Sequence, residues 1–171
     1  MATALAIVLS GCGTSTTTVS NPTTSLAPPT TESEPGPFDF TAQTLEGETI
    51  EGESLKHKDV VLWFWAPWCP ICLVEGKDQV APALAELPDG VQFVGIAGRS
   101  DDLASMEEFL DWTGTGGVTH IVDVDGSIWA GFGVLLQPAF YFVNQDGTFD
   151  KAGSGLTTAD LIAEFETLTS S

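Results

Sequence analysis

The run Val60-Val61-Leu62-Trp63-Phe64-Trp65 is apolar without interruption and rich in β-branched and aromatic residues. Such a run suits a strand covered on both faces, as at the centre of an α/β sheet. Val91–Ala97 has the same character and predicts a second buried strand. Between them, Pro70 to about Leu87 reads as helix, with Val74, Val80, Leu84 and Leu87 as its apolar positions. Pro82 falls inside that stretch and predicts a kink or a split. Asp102–Trp112 reads as an amphipathic helix with Leu103, Met106, Phe109 and Leu110 inward. Gly114–Gly117 is a flexible turn, Thr119–Val122 a short strand, and Ser127–Phe132 a helical turn after Asp125-Gly126. Leu135–Val143 is apolar around Gln137-Pro138, and proline suits a central strand only at its first position. Asn144–Gly147 turns into a strand at Thr148–Lys151. A final helix, Thr158–Leu168, has Leu161, Ile162, Phe165 and Leu168 on its inner face. Ahead of all this, Phe38–Phe40 and Glu48–Ile50 form a hairpin around Leu45-Glu46-Gly47. The order is that of an α/β sandwich, and 171 residues allow one domain with appendages.

The central strand breaks at Ala66-Pro67-Trp68, and Cys69-Pro70-Ile71-Cys72 follows. Pro70 suits the first helical position, where its missing N–H costs nothing. A helix beginning there places Cys69 at its N-terminus, against unpaired N–H groups and the positive end of the dipole. That setting stabilises a thiolate and makes a cysteine reactive. A disulfide between Cys69 and Cys72 closes a very short loop and constrains the unfolded chain by only about 2 kcal/mol. The pair therefore reads as one that opens and closes. Two other readings compete with it: inert core thiols, and half of a zinc site. Zinc needs two more ligands, and Cys12, His57 and His120 are scattered, so no metal is expected. His57, between Lys56 and Lys58, reads as a solvated loop residue.

Composition is most informative at the N-terminus. Residues 1–31 carry no charge, and the apolar run Ala2–Leu9 ends in Leu9-Ser10-Gly11-Cys12. The run is too short to span a bilayer but fits the end of a signal peptide. Leu-Ser-Gly-Cys resembles the lipobox of bacterial lipoproteins, which implies lipidation of Cys12, although no Lys or Arg precedes the run. Residues 13–37 are Thr, Ser, Pro and Gly with almost nothing to bury, so a disordered tether is expected. The division is then 1–12, 13–37 and a domain over 38–171. The formal charge is −19, from five Lys+Arg against 24 Asp+Glu. Such a chain repels nucleic acid and anionic lipid, and neither is expected as a partner.

The run WFWAPWCPIC resembles the active-site strand and loop of thioredoxin-fold proteins. It is closest in character to extracytoplasmic thiol–disulfide oxidoreductases of the TlpA/ResA/DsbE type, above all the secreted DsbE- and DsbF-like lipoproteins of high-GC Gram-positive bacteria. The resemblance spans about Phe38 to Leu168. It implies a thioredoxin fold, a central mixed β-sheet flanked by helices with an N-terminal β-hairpin. It also implies a cis-proline at Gln137-Pro138 beside the cysteines, with the Gln137 backbone offered to a substrate strand. Thioredoxins carry an aspartate base six residues before the first cysteine, where this chain has Trp63. ResA-like proteins carry a glutamate matching Glu75, beneath the active site.

The expected chemistry gives Cys69 the attack and Cys72, the more buried thiol, the resolution of the mixed disulfide. Glu75 would serve Cys72 as a base. Trp68, with Pro70 and Ile71, would wall the site. The absence of a Thr-x-x-Cys pattern argues against a peroxidase, and CxxC spacing argues against a copper chaperone. No cofactor is expected. Expected partners are exported proteins with thiols or disulfides and a membrane redox protein that recycles the site. A monomer is expected, held at the outer face of the membrane through Cys12. Pro70 and Ile71 argue against the most oxidising potentials, and the compartment argues for net disulfide formation. The runner-up is reduction of haem-attachment cysteines during cytochrome c maturation.

Overall fold

A computed structural model describes residues 36–170. Cys12 and all but the end of the proposed tether lie outside them. One seven-stranded sheet runs through the domain in the order β2-β1-β5-β4-β3-β6-β7. Its centre is β3 (Asp59–Trp65), whose seven residues are all buried. β4 (Val91–Gly98) pairs with β3 in parallel, and β5 (Thr119–Asp123) pairs with β4 in parallel. β6 (Ala139–Val143) pairs with β3 antiparallel, and β7 (Phe149–Ala152) completes that edge as a hairpin. The sheet is mixed, and helices cover it, as the thioredoxin resemblance implies.

The side chains of β3 alternate between two cores. Trp63 and Trp65 point to one face, where Trp65 stacks on Phe109 of α3 (Leu103–Thr113) at 4.1 Å between centroids. Trp63 lies parallel to Phe140 at 6.3 Å. Phe165 of α5 (Thr158–Thr169) meets Phe93 edge-on in the same layer. Phe64 points the other way, onto Trp129 of α4 (Ser127–Gly131), Phe132 and Tyr141.

Four details differ from the sequence reading. The hairpin pairs β1 (Thr41–Thr44) with β2 (Thr49–Glu51), so the first strand starts after Phe38–Phe40. Phe38 instead packs edge-on against Phe132, behind a turn closed by the Asp39 N–H on the Gly36 carbonyl. The stretch from Pro70 is α1 (Pro70–Glu75), one wide π-helical turn (Gly76–Val80) and α2 (Ala81–Leu84). Pro82 has no N–H to donate and its ring crowds the carbonyl four residues earlier, so the helix widens just ahead of it. Val74 is 61 % exposed, and Glu75 takes the inner face in its place. Leu103 is also half exposed, because α3 begins there, capped by Asp102 through the Ser105 N–H. β6 begins at Ala139, directly after Pro138 as the proline required, leaving Leu135 and Leu136 in solvent.

Candidate active site

β3 delivers its chain to the C-terminal edge of the parallel strands, and Cys69 caps α1 there. The Cys69 sulfur accepts the Cys72 N–H at 3.1 Å. Pro70 sits at the first helical position as foreseen. Cys69 and Cys72 are disulfide-bonded, with Cα atoms 5.2 Å apart. Cys69 keeps 4 % of its surface and Cys72 none. Cys72 is the more buried of the two, as expected, but Cys69, expected to be exposed, is itself buried and shows only a sliver to solvent. Approach is therefore confined to what the surrounding side chains leave open.

Those side chains form an apolar rim. Trp68 is 55 % exposed and its indole N–H donates to the Arg99 carbonyl at the end of β4, at 3.4 Å. Ile71 and Val74 stand out from α1 on the other side. The Gln137–Pro138 peptide is cis, as the resemblance implied. Ala139 pairs with Phe64, so Pro138 stands one step nearer the loop that carries the cysteines.

Glu75 lies within one turn of Cys72 and is buried to 6 %. Its Oε1 accepts the Gly155 N–H from the segment leading into α5. Its Oε2 has no hydrogen-bond partner among the described residues. Burial raises its pKa; the Gly155 and Leu156 backbone N–H groups oppose that rise without cancelling it. A solvated surface carboxylate is thus ruled out for this position. Glu75 also lines a groove of about 600 Å³ formed with Pro70, Ile71, Val74 and Leu156. A group with a proton affinity above that of a free carboxyl, beside a buried thiol, is suited to moving a proton. At Trp63, where thioredoxins place an aspartate, the indole is fully buried and its N–H has no partner among the described residues. That position of the strand therefore supplies no carboxylate, and Glu75 is the buried carboxylate on the helix that carries Cys72.

Two features escaped the sequence reading. His120 is fully buried, accepts the Trp65 indole N–H at Nδ1 (3.2 Å) and places Nε2 3.0 Å from the Thr115 carbonyl. Burial lowers its pKa, so it holds Trp65 as a neutral ring. It fits only because residue 95 is glycine: a Cβ there would come within 2.0 Å of His120 Nδ1. The second is the tie from the π turn to the last helix, where Gln79 Oε1 accepts the Thr158 N–H at 2.7 Å. Both pairings span long stretches of chain, and no local pattern announces them. His57 stays exposed, as expected, with φ of 59° and Nδ1 near the Gln145 carbonyl. Among the described residues no cluster of His, Cys, Asp or Glu could hold a metal ion.

A CxxC disulfide at a helix N-terminus, with a cis-proline at the start of the neighbouring strand, on a mixed sheet of this order, defines a thioredoxin-fold protein. The chain belongs to the AhpC/TSA family, whose profile matches residues 35–152. It is 45 % identical over 112 residues to the soluble secreted antigen MPT53 of Mycobacterium tuberculosis, covering 64 % of this chain and 61 % of that protein. Over 131 residues it is 26 % identical to the thiol-disulfide oxidoreductase ResA of Halalkalibacterium halodurans, covering 74 % and 70 % respectively. Among solved structures it is similar to dsbF of M. tuberculosis, at 41 % identity and a TM-score of 0.71, covering 78 % of this chain and 98 % of that one. These relatives bear out the resemblance drawn from WFWAPWCPIC.

Proposed function

We propose that this protein is an extracytoplasmic thiol–disulfide oxidoreductase with Cys69 as its nucleophile. The observation that carries the reading is the placement of Cys69: it is a helix cap whose sulfur takes a backbone N–H, and of the two cysteines it is the residue that keeps accessible surface. In the reducing direction the Cys69 thiolate attacks a substrate disulfide, expelling one substrate thiolate. Cys72 then attacks the Cys69 sulfur and releases the other, leaving the Cys69–Cys72 disulfide. Glu75 accepts the Cys72 proton directly or through water. Oxidation of a substrate dithiol runs the same steps backwards.

The names of the relatives support the chemistry, and the words "secreted antigen" for MPT53 support the compartment. The sequence Leu9-Ser10-Gly11-Cys12 supports a lipid anchor, and residues 13–37 a tether that carries the domain to exported chains. The direction we infer is net disulfide formation, with a membrane redox protein restoring the disulfide. Equilibration with glutathione, followed by fluorescence from Trp68 beside the cysteines, tests it. The expected potential lies inside the range of about −270 to −120 mV spanned by dithiol proteins of this kind. A value at the thioredoxin end sinks the oxidase use and promotes reduction of haem-attachment cysteines. The thiolate pKa of Cys69, read at 240 nm with Cys72→Ser as control, is expected below about 8.5. A pKa at or above that value overturns the nucleophile assignment.

A further inference from the structure

A second groove opens on the opposite side of α1 from Glu75. It holds about 220 Å³ and is lined by Pro67, Leu73, Ser105, Glu108, Phe109 and Trp112. Pro67 belongs to the loop that carries Cys69, so the groove runs from that loop onto α3. Its floor is apolar and its wall is the Trp112 ring, which is 60 % exposed. Glu108 is its charged lining residue. Glu107 and Asp111 lie on the exposed side of the same helix, and Leu103–Thr113 contains no basic residue. The ring already attracts a cation, since Lys77 Nζ stands over it at 5.7 Å from the centroid.

We propose that this groove selects substrates: it takes a lysine or arginine side chain two positions from the reacting cysteine of an exported polypeptide. The proposal rests on the exchange chemistry proposed above. An aliphatic stem along Leu73 and Trp112 with a cationic head at Glu108 matches both the apolar floor and the charge. The spacing follows from two repeats. Leu73 lies one turn beyond Cys69, about 6 Å along a helix at about 1.5 Å per residue. In an extended substrate, the next side chain on the same face stands about 6 to 7 Å from the cysteine. A substrate strand that runs from Cys69 along α1 therefore lays that side chain over the groove.

The test uses short two-cysteine peptides carrying Lys, Leu or Glu two positions before, or in a second set two positions after, the first cysteine. Two peptide thiols give two electrons and two protons to the Cys69–Cys72 disulfide, and the rate is read as loss of free peptide thiol. In one of the two sets the Lys peptide is expected to react about tenfold faster than the Glu peptide at low salt, with the ratio collapsing in high salt. Net charge alone would also favour cations, so Glu108→Lys is compared with Glu166→Lys near the far end of α5. Glu108→Lys is expected to abolish or invert the ratio and Glu166→Lys to keep it. Trp112→Ala is expected to raise the half-saturating concentration of the Lys and Leu peptides in this single turnover, and to leave unchanged the rate at which the pre-reduced protein, its two thiols supplying the electrons, reduces hydroxyethyl disulfide. Equal rates in both sets, or equal effects of the two charge reversals, overturn the groove. Unchanged hydroxyethyl disulfide reduction by Cys69→Ser would instead sink the oxidoreductase reading itself.

Discussion

Asp123 and Glu75 are both buried carboxylates, at the end of β5 and of α1, and their surroundings differ in one respect. Asp123 commits both oxygens to the start of α4. Its Oδ1 accepts the Ile128 N–H at 3.2 Å and its Oδ2 the Trp129 N–H at 2.9 Å, with the Ser127 hydroxyl at 3.5 Å. The two N–H donors are otherwise orphaned groups of a helix start, so the carboxylate offsets its own desolvation and theirs. Glu75 has one oxygen on the Gly155 N–H and the other on nothing among the described residues. Burial then raises its pKa. A saturated buried carboxylate pins structure, whereas a half-partnered one beside a thiol is available to exchange a proton.

The largest effect that would break this contrast is on stability. Asp123→Ala leaves the Ile128 and Trp129 N–H groups without acceptors inside the fold, at about 1–3 kcal/mol for each unsatisfied group. Urea unfolding should show a loss of about 3 kcal/mol or more, with the slope unchanged. A loss under about 1 kcal/mol would mean that α4 needs no pin. Glu75→Gln should do the reverse, with stability held to within about 1 kcal/mol. Release of a trapped mixed disulfide should slow by about 10²-fold, while the first attack by Cys69 keeps its rate. If Glu75→Gln destabilises as much as Asp123→Ala and both half-reactions run normally, Glu75 only anchors the segment at Gly155.

The contrast also marks what could be read from the chain. The cysteines, β3 and the order of elements were legible because each is local: an apolar run, a proline at the first helical position, a turn at Asn144–Gly147. The burial of Glu75 was not legible from helical periodicity, which counts Val74 as the apolar position. A valine is out and a glutamate in because the inner face follows Cys72, Glu75, Gly76 and Val80, and Gly76 is pressed against Thr113 and Trp63. Its spacing of three from Cys72 put Glu75 on that cysteine's face, and the family resemblance gave it a role. The start of β1 was missed because Phe38 and Phe40 look like strand residues yet turn to pack on the core. The His120–Trp65 bond was invisible for another reason: its partners are joined across β4 at Gly95, and no spacing along the chain encodes that approach.

The smallest expected effect is the one that isolates the charge of Glu75. Its folded pKa is raised and its unfolded pKa is near the ordinary value of about 4.3. Between those two values the folded state holds more protons than the unfolded state, so stability falls as pH rises through the window. Below about pH 4.3 both states are protonated and the contribution is fully present. Above the folded pKa it is lost and the curve is flat. Other groups slope the opposite way: Asp102, Asp125, Asp146 and Asp160 have lowered pKa values, held by local Ser or Thr donors, and weaken the fold as pH falls. Buried His120, with its lowered pKa, does the same as pH falls below about 6.5. These contributions are common to wild type and Glu75→Gln and cancel in the difference between them. Urea unfolding of both proteins across pH 3.5 to 8, roughly spanning the carboxyl and histidine values, should give a wild-type advantage that declines with pH and then levels. A difference that rises with pH would mean that Glu75 is held as an anion by Gly155 and Leu156, and its part in the thiol chemistry would have to be electrostatic.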